Sequence, residues 1–282
     1  QLVASESDAA MFMRRCDGNH TAAAERLCLY WEERLRVFGP DRAFLPLDLL
    51  TGNGALSRDE VLSLQAGFPS ILPPSTTGQK VILCDRRKAI PSSPECRLRC
   101  DFFVHHILAK ADERTQTEGI VILRVLMTPR FPSVDYEMSA RLLENEANIF
   151  PTKCHVHFLV IPPIPKAGKN SSVQEIIDRH MKLAKSLPRL ASVHLHVERE
   201  SGQLLRILSQ DLKLTHDGIP LAFGGGWRIE HFFREMKARE SRDRRLEYFQ
   251  QKKTGASSKI AAAPSQDVAA AAASSQDEKK KM

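Results

Sequence analysis

The chain has 282 residues, of which 42% are apolar and 27% charged, with a formal net charge of +7. Those values suit a globular protein of one large or two modest domains. No stretch approaches the ~18 consecutive apolar residues of a membrane span, and a mild basic excess with only 6% aromatics argues against nucleic acid as a partner. Residues 251–282 supply +3 of the charge through six Lys and three acids. The segment Gln1–Glu6 has neither a basic nor an apolar region of the signal-peptide kind, and a start at Gln1 suggests that sequence precedes it. Cysteines 16, 28, 84, 96, 100 and 154 form no C-x-x-C pair, which predicts free thiols in a reducing compartment.

In chain order, residues 5–38 read as two helices broken at Gly18-Asn19, the second with a stripe at Leu27, Trp31, Leu35 and Phe38. Ser57-Arg58-Asp59-Glu60 is a capping box, with Leu56 and Val61 placed as its hydrophobic staple. Gly67 should end that helix. Lys80–Cys84 reads as a strand, and Ser93-Pro94 starts a helix running to about Thr115. A second strand is expected at 120–126, then a helix at 135–148 with Met138, Leu142 and Leu143 on its buried side. A third strand, 156–161, stops at Pro162-Pro163. After a polar loop, Ser172-Val173-Gln174-Glu175 is another capping box. It opens a helix whose Val173, Ile176, Ile177, His180, Met181 and Ala184 form one wide apolar face. That face suits a plain crossover helix packed on a sheet. It equally suits a hinged lid, since the preceding loop carries Gly168, Lys166 and Lys169. A fourth strand is expected at 192–197 and a helix near 202–210.

Strands separated by helices predict crossover connections, hence an α/β fold with a mostly parallel sheet preceded by a small all-helical module. The expected domains are 1–75, helical; 76–227, α/β; 228–250, a charged helix; and 251–282, a disordered tail lacking a periodic apolar face.

Motifs for chemistry are sparse. Gly224-Gly225-Gly226-Trp227 lacks the spacing of a nucleotide-binding loop and reads as a turn. No G-x-S-x-G elbow occurs, and paired carboxylates such as Glu144 and Glu146 fall on helices that look exposed. His155 and His157 share one strand face, as do His194 and His196, so four imidazoles converge if the strands are neighbours. With Cys154 they make a conceivable metal set, but core or pocket histidines are the preferred reading. No metal, cofactor or catalytic residue is assigned.

Taken in order, several segments resemble the CRAL-TRIO, or Sec14-like, lipid-binding family. Phe12-Met13-Arg14-Arg15, Asp17-Gly18-Asn19, Ala22 to Leu27, Tyr30-Trp31 and Arg34 look like its N-terminal helical module. Leu72-Pro73 and Gly78-Gln79-Lys80-Val81 look like the entry to its first strand. Phe150-Pro151 and His157 to Pro163 are similar to its proline-ended strand, and Leu204-Leu205, Ile219-Pro220 and Phe223-Gly224-Gly225 to its closing motif. Ile161 stands where the family usually has Asn, and Arg124 where an acidic residue is common.

The resemblance implies a sheet flooring an apolar cavity, a gating helix at 172–187, and non-catalytic binding and transfer of one hydrophobic lipid. On that basis the expected lining is Val121, Leu123, Val125, Leu159 and Ile161 from the sheet, with Val173, Ile176, Ile177, His180 and Met181 from the lid. Lys166, Lys169, Lys182 and Lys185 are expected to meet anionic headgroups. The protein is then expected to be a cytoplasmic monomer with transient peripheral membrane association. Two other readings stand beside it: a protein-interaction scaffold using the charged helix 228–250 with a vestigial cavity, and an α/β hydrolase-like enzyme whose site is assembled from distant positions.

Overall fold

A computed structural model describes residues 6–49, 54–90, 92–127, 135–161, 171–198, 200, 202–238, 241 and 245. Gln1–Lys237 form one compact unit and Ala238–Met282 another. The expected tail at 251–282 and the loop lysines Lys166 and Lys169 lie outside the described residues.

The order of elements is α1 (Ala9–Arg15), α2 (His20–Phe38), α3 (Arg58–Ala66), β1 (Ser70–Leu72), β2 (Lys80–Asp85), α4 (Pro94–Ala111), α5 (Glu113–Thr117), β3 (Ile120–Met127), α6 (Tyr136–Asn148), β4 (Cys154–Val160), α7 (Ser171–Lys185), β5 (Ser192–Val197) and α8 (Gln203–Arg206). The sheet has five strands in the order β1-β2-β3-β4-β5. Strands β2 to β5 are parallel, and β1 joins antiparallel to β2. The chain is thus α/β with a mixed, mostly parallel sheet. The short β1 has no counterpart among the expected strands: three residues hold too little alternation to register as a pattern.

Sequential order has a geometric consequence. Right-handed crossovers between neighbouring parallel strands put every connecting helix on the same face. Here Arg124 of β3 pairs with Glu146 of α6, and Phe158, its register partner on β4, meets His180 of α7 edge-on at 6.0 Å. That face carries the helices. The alternate residues, Leu83, Leu123, His157 and His194, lie in one cross-strand row on the other face.

The helix starts follow local chemistry. Ser93 accepts from the Cys96 amide with Pro94 at the first helical position, Asp135 accepts from Met138 N, and Asn19 accepts from Ala22 N. Glu60 takes the Ser57 amide and hydroxyl, closing the predicted capping box, and Gly67 ends α3 at φ +92. The helix expected to reach Thr115 is interrupted instead. Asp112 leaves the helical region at φ −164 and caps α5 through Thr115 N.

The N-terminal helices pack into the same unit as the sheet, and their buried face differs from the expected one. Of the expected stripe Phe38 is buried and Leu27 and Trp31 are half-buried against the core, but Leu35 is 42% exposed, and Ala23, Arg26, Tyr30, Arg34 and Val37 are buried besides. The arginines are inside because their guanidinium groups find oxygen. Arg26 donates to the carbonyls of Ala147 (2.8 Å) and Phe150 (3.1 Å). Arg34 pairs with Glu6 at 2.8 Å and donates to Leu45 O at 2.6 Å. Arg15 reaches the carbonyls of Thr152 and Arg189, both at 2.9 Å. Buried charge is tolerable when hydrogen-bonded in this way.

The segment after β5 covers the other face of the sheet and supplies buried Leu204, Leu208, Leu214, Ile219, Phe223 and Trp227. It folds back on itself, with Trp227 N donating to Ile219 O at 2.9 Å. A β-carbon at Gly225 would lie 2.0 Å from that same carbonyl oxygen, so the glycine run is a packing turn. The helix at 229–238 places Phe232 and Met236 in the core. No helix among the described residues is long and apolar enough to cross a membrane.

Candidate functional site

Helix α7 is tied to the sheet by few residues. Ile177, His180 and Ala184 are buried, Ile176 and Met181 half-buried, and Lys182 and Lys185 exposed. The side chain of Val173 lies outside the described residues. His180 is the one polar group in the buried row. Its Nδ1 bonds Ile176 O at 2.8 Å, its ring meets Tyr136 edge-on at 5.4 Å, and its Nε2 is buried without a partner. Burial, then the guanidinium groups of Arg124, Arg86 and Arg179, pushes its pKa down against the pull of the Ile176 carbonyl. The imidazole is therefore neutral near pH 7.

The sheet residues expected to face this helix do not. Val121, Leu123, Val125 and Leu159 are buried, but alternation puts them in the row of His157, on the face away from α6 and α7. Ile161 follows β4 at its end and is half-buried against the core. The residues turned toward the helices are Cys84, Arg124, Phe158 and Leu195. The two halves of the expected lining thus sit on opposite sides of the sheet. A slip of one residue in assigning strand faces exchanges the whole set.

Beneath the helices lies a buried ionic cluster drawn from three elements. Glu146 of α6, expected on an exposed surface, is fully buried and ion-paired with Arg124. Asp101 and His105 of α4 are also buried, with Asp101 Oδ1 4.0 Å from His105 Nε2. The His105 ring stacks on Phe150 at 3.9 Å, and its Nδ1 meets Thr152 Oγ1 at 3.3 Å. Burial, reinforced by the neighbouring Glu146, pushes the Asp101 carboxyl up to about 8. Burial and then Arg124 push His105 down to about 3. Burial also raises Cys84, the register neighbour of Arg124, to about 12. Four atoms of the cluster have no hydrogen-bond partner among the described residues: Asp101 Oδ2, His105 Nε2, Arg124 Nε and Glu146 Oε2.

On the opposite face the histidines do converge. His157 Nδ1 lies 2.9 Å from His196 Nε2, and the His157 ring stacks on His194 at 4.4 Å. His155 bonds Ser192 Oγ at 2.9 Å and Glu118 O at 3.1 Å. Cys154, the next residue in β4, points the other way and stays apart from them. Burial, then the other three imidazoles, pushes His157 down to about 3. Each ring has a protein partner, as expected of packed core histidines.

A pocket of ≈ 170 Å³ lies at the β1–β2 edge of this second face, between Leu83 and Asp85 on one side and Pro220, Trp227 and Ile229 on the other. That is below the roughly 300–1,000 Å³ of sites enclosing a drug-sized ligand, and it is remote from α7.

Sequence reasoning missed Asp101, His105, Arg124 and Glu146 as a group because they are spread over 46 positions. A signal existed for Glu146. It falls eight residues after Met138 and four after Leu142, on the apolar stripe of α6. Compared with family models and with curated proteins, the chain matches none.

Proposed function

We propose that the protein binds one hydrophobic lipid molecule between α7 and the helix-bearing face of the sheet, and delivers it to membrane surfaces without catalysing a reaction. The observation that carries this reading is the inner face of α7. It is apolar apart from His180, whose buried Nε2 looks for a partner, and it hangs on the segment that follows a proline-ended strand. A ligand with a long apolar body and one hydroxyl suits such a face, because the hydroxyl donates to Nε2 while the body displaces α7 from Phe158 and Leu195.

The energetics fit a lid. Fully exposing a residue of the size of Ile or Met costs about 1.5–3 kcal/mol. Among the described apolar residues of α7, only Ile177 and Ala184 are fully covered, with Ile176, Met181 and Leu183 partly so. Lifting the helix therefore costs a few kcal/mol, and a lipid that removes several hundred Å² of its own surface from water offsets it at roughly 25 cal/mol per Å². Lys182 and Lys185 on the outer side of α7, with Lys166 and Lys169 of the segment that precedes it in sequence, then meet anionic headgroups.

Native mass spectrometry of the full chain, with transfer assays between liposomes, tests the reading. The expected result is one co-purifying lipid per chain and transfer that Ile177→Asp abolishes. Protein that carries no lipid and moves none of a panel of phospholipids, sterols and tocopherol-like compounds overturns it. Charge reversal at Lys166 and Lys169 should slow transfer to anionic liposomes more than to neutral ones. Equal slowing removes the headgroup role while leaving lipid binding intact.

A further inference from the structure

The geometry points to a metal site at Asp101, His105 and Glu146, taking a divalent ion of the zinc or manganese class. Nothing in the lipid reading uses these residues. One ligand atom from each lies within 4.8 Å of those of the other two. Ligands sharing a tetrahedral ion at about 2.0–2.1 Å stand roughly 3.3 Å apart. The Asp101 Oδ1 to His105 Nε2 gap of 4.0 Å closes to that by small side-chain rotations.

The second argument is independent of the spacing. All three residues are fully enclosed, and each has a polar atom with no partner: Asp101 Oδ2, His105 Nε2 and Glu146 Oε2. Buried polar atoms are satisfied in the great majority of folded proteins, and orphans call for an ion or water. Three orphans from three neighbouring candidate ligands share one explanation if a single cation sits among them.

Charge points the same way. With both carboxylates ionised, Asp101 and Glu146 contribute two negative charges against the one positive charge of Arg124, and His105 is neutral. A further cation among them lets both carboxylates ionise inside the protein; without one, a proton has to balance the count. Sodium and potassium balance the count but do not favour imidazole. A nitrogen donor beside two carboxylates selects borderline divalent ions over magnesium or calcium.

The surroundings are those of a structural ion. His105 is held by Thr152 at Nδ1 and by stacking on Phe150, which leaves Nε2 to the metal. Glu146 gives Oε1 to Arg124 and keeps Oε2 free. Sealed from solvent, the ion enters as the protein folds, and its binding adds to folding stability.

Metal analysis of the full chain, purified without a histidine tag, is the direct test. About one zinc or manganese per chain is expected, and thermal melting should fall on dialysis against a chelator and recover with zinc chloride or manganese chloride alone. His105→Gln and Asp101→Asn should each cut the metal content about tenfold, in line with loss of a ligand. A His157→Gln/His194→Gln/His196→Gln variant should keep it, since those rings lie on the other face. Wild-type protein holding less than about a tenth of an equivalent, with a melting point that neither chelator nor added metal moves, overturns the site and leaves a proton on Asp101 as the balancing charge. Retention of lipid transfer by metal-free protein leaves the lipid reading standing in either case.

Discussion

The two faces of the sheet solve the problem of buried polarity in opposite ways. The helix-covered face encloses full charges: Arg124 against Glu146, with Asp101 close by. The other face encloses imidazoles that burial keeps uncharged, His157 above all. Full charges inside a protein need partners fixed in place, and α4 and α6 provide them as rigid crossover helices. Neutral rings need only hydrogen bonds and stacking, which two adjacent strands largely supply. The difference is one of dependence: the first face relies on keeping every ion, the second on keeping the solution neutral.

Removing an ion should therefore have the largest effect. Arg124→Leu strands Glu146 without its countercharge, and we expect it to cost about 3–5 kcal/mol in urea unfolding at neutral pH. Arg124→Leu with Glu146→Leu should recover most of that, because apolar residues replace the pair together. A single substitution that costs under about 1 kcal/mol would mean that water already reaches the cluster.

Acid should act on the second face. His157 has an ordinary value near 6.5 when unfolded and about 3 when folded, so between those values the unfolded chain binds a proton that the folded chain refuses. Stability is then fully present above pH 6.5 and is lost as pH falls, at up to about 1.4 kcal/mol per pH unit. Burial also lowers His196 on this face and His105 and His180 on the helix-covered face, which adds loss of the same sign, whereas Asp101, raised to about 8, gains stability as pH falls through that value. Between pH 7 and pH 5 His157 alone should account for a loss of about 2 kcal/mol in urea unfolding, so the change measured for His157→Gln over that range should differ from that of the wild type by this amount. An unchanged difference between pH 7 and pH 5 in His157→Gln removes His157 from the acid response.

The smallest effect is expected from His194→Ala. His194 is exposed and contributes a stacking surface, so the change should stay within about 0.5 kcal/mol at pH 8. A loss well beyond that would show that the imidazole stack, rather than the strand pairing, holds the edge of the sheet.

Much of the fold is legible in the sequence because its signals are local. Four of the strands are short apolar runs bounded by Gly, Pro or charge, and Ser93-Pro94, Ser57 with Glu60, and Gly67 mark helix ends by mechanisms that act within one turn. What escapes is set by distance. Which strand face meets α7 depends on where the crossover helices lie, so Leu123 and Phe158 cannot be assigned from their own neighbours. The burial of Arg26 and Arg34 depends on carbonyls and a carboxylate elsewhere in the chain, and a hydrophobicity pattern counts both residues as surface. Arg124 was the exception within reach. A charge in the middle of Ile120 to Leu126 is conspicuous, and it marks the cluster that its own sequence neighbourhood does not contain.

The arginine contacts of the N-terminal helices set a timetable. Arg15 is bonded to the carbonyl of Arg189, 174 positions later. At roughly 5–20 residues per second, a ribosome takes on the order of ten to thirty-five seconds to make the partner after the donor, and longer before the partner clears the exit tunnel. Through that interval the first two helices exist without the oxygens that receive Arg15 and Arg26. The beginning of the chain is thus among the last parts to be fixed, and a nascent chain stalled before β4 holds its earliest residues undocked.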